Sequence, residues 1–301
     1  MKRDFLTICD LSGVEIKMLL KRAMELKAGA DASKCPLLGK SIGLFFEKPS
    51  TRTRVSFEVG VYQLGGQSIY LNPKEIQRGR GESVADTAKV LSRYLSGLVL
   101  RTFSHSSVEE FACHATVPVI NGLSDRHHPC QALADLMTVY EKKGKVEGIR
   151  LAYIGDGNNV ANSLIEAAAR TGMHIVLACP EGCDPEAEIV ARAEGEAAGE
   201  IAILRDPKEA VKTADVIYTD VWVSMGQEEQ AERKKAKFKG YQVNSELLRC
   251  AKDGVTVLHC LPAHRGEEIT AEVMDGPHSA ILDQSENRLH TEKALLEYLI
   301  R

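Results

Sequence analysis

Residues 50–54 read Ser-Thr-Arg-Thr-Arg. Three hydroxyls and two guanidinium groups in five residues are the chemistry of an anion site. Pro49 closes an extended apolar run, and the stretch 51–66 continues with a helical apolar face through Val55, Val59 and Tyr62 to a Gly65-Gly66 stop. The hydroxyls of Ser50, Thr51 and Thr53 therefore fall at a helix N-terminus, where unpaired backbone N–H groups favour negative charge. Arg52 and Arg54 add permanent charge and a fork that fits phosphate or carboxylate. An ordinary cap needs one hydroxyl, and Arg54 is the arginine better suited to a plain structural ion pair.

Open α/β sheets bind ligands beyond the carboxyl ends of their strands, and reactive residues recur at such ends here. Arg101 interrupts the buried-looking run 97–102, where a charge needs a partner or a ligand. His127, His128 and Gln131 follow the run 117–121; an imidazole beside an amide can hold a small carbonyl group from two directions, although a histidine before a helix is often structural. Asn158 and Asn159 follow 149–155. Asp220 lies near the end of 215–222, before a turn at Ser224-Met225-Gly226, and suits an ammonium group, or else a turn cap. His259, Cys260 and Leu261 close 256–261, and Arg288 follows 280–284. Cys260 is a buried strand cysteine or a site residue; as a nucleophile it requires a nearby base.

The loop Gly-Asp-Gly-Asn-Asn at 155–159 is a weak dinucleotide fingerprint, lacking the third glycine. Glu181, at the end of the next strand, could serve as the ribose-binding acid, so a nicotinamide-dependent dehydrogenase is one rival reading. The eight cysteines are scattered and form no disulfide framework. Most are expected to be small buried residues, and the pair Cys179/Cys183 lacks the second pair that a zinc site needs. No metal or cofactor is expected.

The chain has 301 residues, 44% hydrophobic and 27% charged, with a formal net charge of −4. That balance gives no general attraction to nucleic acid or anionic membrane, so an anion site must be built locally. The start has no apolar signal region, and no run approaches the ~18 apolar residues of a membrane span. A cytoplasmic protein is expected.

Strand-like runs at 41–46, 67–72, 97–102, 117–121, 149–155, 174–179, 215–222, 256–261 and 280–284 alternate with helical patterns. Among these are 82–94, with a face through Val84, Ala88, Leu91 and Tyr94, and 130–144, with a face through Leu133, Leu136, Met137 and Tyr140. Several runs are apolar at nearly every position, as in parallel sheets covered on both faces. The expectation is an α/β protein of two doubly wound parallel-sheet domains joined by interdomain helices. The polar stretch 141–148 marks the seam. The amphipathic pattern 290–300 is a terminal helix that can pack back on the first half, and the charged run 228–240 reads as a solvated helix or mobile loop.

Five blocks in order — 50–54, His-Pro-Cys-Gln at 128–131, the 155–159 loop, 220–226 and 259–266 — resemble the aspartate/ornithine carbamoyltransferase family along the whole chain. Within it the Ser-Met-Gly turn and the Cys after His259 are similar to the ornithine-directed members. The resemblance implies transfer of a carbamoyl group from carbamoyl phosphate to the δ-amine of L-ornithine, with no cofactor. It implies residues 1–140 as the carbamoyl phosphate domain, completed by a C-terminal helix 286–301, and 141–285 as the ornithine domain. It assigns Ser50, Thr51, Arg52, Thr53, Gln77, Arg101, His128, Gln131, Cys260, Leu261 and Arg288 to carbamoyl phosphate. Asn159, Asp220, Ser224 and Met225 are assigned to ornithine. Arg101, His128 and Cys260 are the candidate catalytic residues. It also implies a homotrimer or a multiple of trimers. A non-catalytic protein of the same fold would tolerate loss of the arginines, and they are intact.

Overall fold

The computed structural model describes residues 2–30, 34–72, 81–223 and 231–300. Two compact units divide the chain: Met1–Ala134 with Glu286–Arg301, and Asp135–Ser285.

The first unit holds a parallel four-stranded sheet of β1 (Ser41–Phe46), β2 (Gln67–Leu71), β3 (Gly97–Arg101) and β4 (Val119–Leu123), in the order β2-β1-β3-β4. Its helices are α1 (Gly13–Lys27), α2 (Thr51–Gln63), α3 (Val84–Leu91) and α4 (His105–His114). From β1 the chain first moves one way to β2, then crosses to β3 on the other side. The order therefore reverses between β1 and β3, whose registers bring Phe46 opposite Arg101. Phe45, Leu98, Leu100, Val108 and Phe111 fill the core on one face.

A long helix α5 (Pro129–Lys143) contains the 134/135 division. The second unit holds β5 (Arg150–Ile154), β6 (His174–Ala178), β7 (Ile201–Leu204), β8 (Val216–Thr219) and β9 (Thr256–His259), all parallel, in the order β7-β6-β5-β8-β9. Here the reversal lies between β5 and β8. Helices α6 (Asn159–Thr171), α7 (Ala187–Glu196), α8 (Pro207–Val211), α9 (Ala231–Lys237), α10 (Ser245–Leu248) and α11 (Ala271–Met274) connect the strands. The last helix, α12 (Ile281–Leu299), contains the division at 285/286.

Several sequence expectations are corrected. Residues 280–284 are not a strand, and from Ile281 they open α12; a short apolar run fits a buried helix turn as well as a strand. On α2 the buried side is Thr53, Phe57, Gly60 and Val61, whereas Val55 and Tyr62 are exposed. The cause is α12: a Cβ added at Gly60 would lie 3.3 Å from Lys293 Cγ and 3.6 Å from Leu289 Cδ1. Tyr94 and Tyr140 are likewise exposed rather than part of a buried face. Of the eight cysteines, only Cys130, Cys179 and Cys183 are buried; all eight are free thiols.

Candidate active site

Both sheets place their polar residues at the strand-order reversal, the position that favours ligand binding in this architecture. In the first unit Ser50 caps α2 with extended backbone, and its Oγ accepts from the Thr53 N–H at 3.2 Å. Thr51 is exposed, Arg52 half-buried and Thr53 buried. One strand away, Arg101 ends β3 and is 6% exposed. His128 is buried immediately before Pro129, the first residue of α5, and its carbonyl accepts from the Gln131 N–H at 3.1 Å.

Arg288, on α12, completes this group. Its Nη1 donates to Gln131 Oε1 at 2.8 Å and its Nη2 to Thr53 Oγ1 at 2.9 Å. Burial holds His128 well below the ordinary imidazole range, and the nearby Arg288, Arg101 and Arg52 push the same way. The imidazole is therefore neutral at neutral pH and keeps one N–H to donate. Three guanidinium groups, a helix N-terminus and a neutral imidazole together have the chemistry that suits an anion. Arg54 takes no part: its Nε binds Glu58 at 2.9 Å, one turn along α2, and its guanidinium lies 3.7 Å over the Tyr70 ring.

In the second unit Asn158 caps α6, its Oδ1 accepting from Val160 N–H at 2.9 Å. Its Nδ2 donates to Asp220 Oδ2 at 2.8 Å, and Cys260 Sγ donates to Asp220 Oδ1 at 2.9 Å. Both oxygens of this buried carboxylate are thus fixed. Asn159 opens α6. Burial, and then the Asp220 carboxylate, raise the Cys260 thiol well above its usual range. Cys260 is a hydrogen-bond donor rather than a thiolate nucleophile.

His259 supports this corner. The Leu261 N–H donates to its Nδ1 at 2.9 Å, so the ring proton sits on Nε2 and points at Glu268 Oε1, 3.1 Å away. Leu261 has φ of +59°, a left-handed conformation that costs energy for any side chain larger than glycine's. Such strain is retained where the surrounding structure needs one backbone direction. Asp220, His259 and Cys260 place ligating atoms within 4.8 Å of one another. Both His259 nitrogens and the Cys260 thiol are already committed to these internal hydrogen bonds, so the donor set does not fit a resident metal.

The dinucleotide reading of 155–159 fails on space. A Cβ at Gly157 would lie 2.1 Å from Pro185 N and 2.2 Å from Asp184 C. The glycine is required by the crossing chain, not by a pyrophosphate. Gln77, Ser224 and Met225 lie outside the described residues. Sequence reasoning passed over Asn158 as an Asp220 partner and Glu268 as the His259 partner. It also overlooked Glu292, bound to Arg288 at 2.9 Å; its spacing of four from Arg288 on a helical pattern was the available signal.

The sequence matches two family models: the aspartate/ornithine carbamoyltransferase carbamoyl-P binding domain over residues 3–141, and the Asp/Orn binding domain over 147–299. An ornithine carbamoyltransferase of Syntrophus aciditrophicus is 55% identical over 302 residues, covering 100% of both chains. Among solved structures, the ornithine carbamoyltransferase from Pyrococcus furiosus superposes with a TM-score of 0.94 at 49% identity, covering 99% of this chain and 97% of that one. The anabolic enzyme from Campylobacter jejuni gives 0.93 at 39% identity, covering 99% of each. With matches over residues 3–141 and 147–299, this protein belongs to the aspartate/ornithine carbamoyltransferase family.

Proposed function

We propose that the protein transfers the carbamoyl group of carbamoyl phosphate to the δ-amine of L-ornithine, giving L-citrulline and phosphate, a step of arginine biosynthesis. The observation that carries the reading is the gathering of Arg52, Arg101 and Arg288 about the neutral His128, beside the capped N-terminus of α2. That is a receptor for a doubly charged phosphate joined to a small carbonyl group.

Ser50, Thr51, Arg52 and Thr53 bind the phosphate, with Arg101 and Arg288; Gln77 is assigned to the same substrate. His128 and Gln131 hold the carbamoyl group. Asp220 pairs with an ammonium group of ornithine, with Asn159, Ser224 and Met225 as further contacts, and Cys260 and Leu261 touch carbamoyl phosphate as well as the amine. The δ-amine has a solution pKa near that of lysine, ~10.4, and attacks only when neutral. A cationic neighbourhood favours its deprotonated form. The nitrogen lone pair forms the new C–N bond, and the carbonyl oxygen takes negative charge. Arg101, His128 and Thr53 donate to that oxyanion. The C–O bond to phosphate then breaks, the nitrogen passes its proton to the departing phosphate oxygen, and phosphate leaves with its charge already paired.

A trimer of this chain in the cytoplasm is part of the proposal. The eight free thiols suit a reducing compartment, and the exposed Val55, Tyr62 and Tyr94 of the first unit are apolar surface for an assembly to cover. The test is citrulline formation from carbamoyl phosphate with ornithine, N-acetylornithine, putrescine and aspartate offered in parallel. Ornithine should be carbamoylated with the highest kcat/KM. A preference for any other amine would overturn the assignment.

A further inference from the structure

Glu292 lies one helical turn beyond Arg288 on α12 and is 1% exposed. Its Oε1 accepts from Arg288 Nη2 at 2.9 Å and from Nε at 3.2 Å. The remaining edges of that guanidinium serve Thr53 and Gln131. Among the described residues, Glu292 Oε2 is buried with no partner at hydrogen-bond geometry, the Ser56 hydroxyl being a neighbour. A carboxyl group buried and half-satisfied in this way is costly, and an apolar side chain would pack there at less cost. Its position therefore calls for a reason beyond packing.

We propose that Glu292 is a positioning residue of the anion site, holding the Arg288 fork in register with Thr53 and Gln131, and that an anion at the site and a proton on Glu292 favour one another. The proposal rests on the assignment of Arg288 to the phosphate site. An ionised Glu292 cancels the charge of Arg288 and repels the incoming anion. A protonated Glu292 leaves that charge to the ligand. By reciprocity, the anion must raise the proton affinity of Glu292 by the same factor.

Among the described residues, the charged and titratable groups facing Glu292 are Arg288 on its own helix and Cys130 on α5, with the neutral Ser56 hydroxyl of α2 beside it. Across Arg288 stand His128, Arg101 and Arg52. Burial lifts Glu292 to about 7 against the opposing pull of Arg288 and Ser56. It therefore titrates in the working range, whereas His128 is held well below it and the buried Cys130 thiol far above.

Sulfate is the probe, because it stays a dianion across neutral pH. Calorimetric titration of the intact protein between about pH 6 and about pH 8.5 should show sulfate affinity falling roughly three- to tenfold as pH rises. Binding near pH 7.5 should take up a fraction of a proton, read from two buffers of different ionisation enthalpy. Glu292→Gln keeps the shape and an acceptor oxygen for Arg288, and should flatten the pH profile and remove that uptake. Parallel profiles in the two proteins would overturn the proposal while leaving the anion site standing. If the wild-type protein binds no sulfate at any pH, the proposal and the reading of Arg288 fall together. Should the variant fail to fold, the two-buffer measurement on the wild-type protein decides: no proton uptake overturns the proposal.

Discussion

Asp220 holds its two oxygens at fixed directions because Asn158 and Cys260 each donate to one of them, at 2.8 and 2.9 Å. A hydrogen bond to a charged group contributes about 1.5–3 kcal/mol. Cys260→Ala should therefore lower kcat/KM for ornithine by about tenfold or more, whereas Cys260→Ser, which keeps a donor on the same bond, should stay within about threefold of wild type. Steady-state kinetics on the two variants separates this role from that of a nucleophile; equal losses in both would remove it. The residue types at this corner were legible in the sequence, since Asp220 and Cys260 both close apolar runs. Their mutual bond was not, because forty residues separate them. Likewise the sequence favours Arg54 over Arg52 for a structural ion pair without naming its partner. The structure supplies that partner: Glu58 and the Tyr70 ring engage the Arg54 guanidinium.

Parallel strands announce themselves as short apolar runs, so most of both sheets could be read directly. Elements with mixed faces could not. On α2, Val55 and Val59 compete with Phe57 and Val61 for the core, both pairs at helical spacing, and the approach of α12 to Gly60 decides between them. The run 201–204 escaped as a strand because it forms a half-exposed edge of the second sheet. The turn after β5 was legible as special but for the wrong reason. Gly157 N–H donates to the Cys183 carbonyl at 2.8 Å, and its missing Cβ makes room for the chain at 184–185. Neither obstacle is a flexible side-chain end, so Gly157→Ala must displace backbone and move Asn158 from the α6 cap. The expected result is a loss of at least about 2 kcal/mol in urea unfolding, in the range of overpacked sites, together with a raised ornithine KM. An alanine variant with wild-type stability would show that the 184–185 crossing yields without cost.

Both termini of the described chain fasten to the same unit. Arg22 grips Glu297 through two hydrogen bonds, at 2.6 and 2.8 Å, and Lys27 Nζ donates to Asn287 Oδ1 at 2.8 Å. Tyr298 OH donates to Glu15 at 2.6 Å. Ile300 lies against β3 so closely that a Cβ on Gly97 would sit 2.5 Å from its Cδ1. The amphipathic pattern of 290–300 showed that this segment must bury a face and can pack back on the first half, and Glu286–Arg301 does group with that unit; the partners that receive it lie across a chain crossing of over 150 residues, which no local pattern shows. Leu295, Leu296, Leu299 and Ile300 are all buried. At about 1.5–3 kcal/mol per buried aliphatic side chain, the four contribute roughly 6–12 kcal/mol, comparable with the whole stability of a typical domain. A chain ending at residue 285 also loses Arg288 and Glu292. It should lack sulfate binding and show fast hydrogen exchange throughout β1–β4. The five strands β5–β9, whose core draws on Ile154, Ile217, Val257 and Phe238, should remain protected. Hydrogen-exchange mass spectrometry on the truncated chain reads both halves at once; protected β1–β4 amides would show that the first unit holds together without its returning helix.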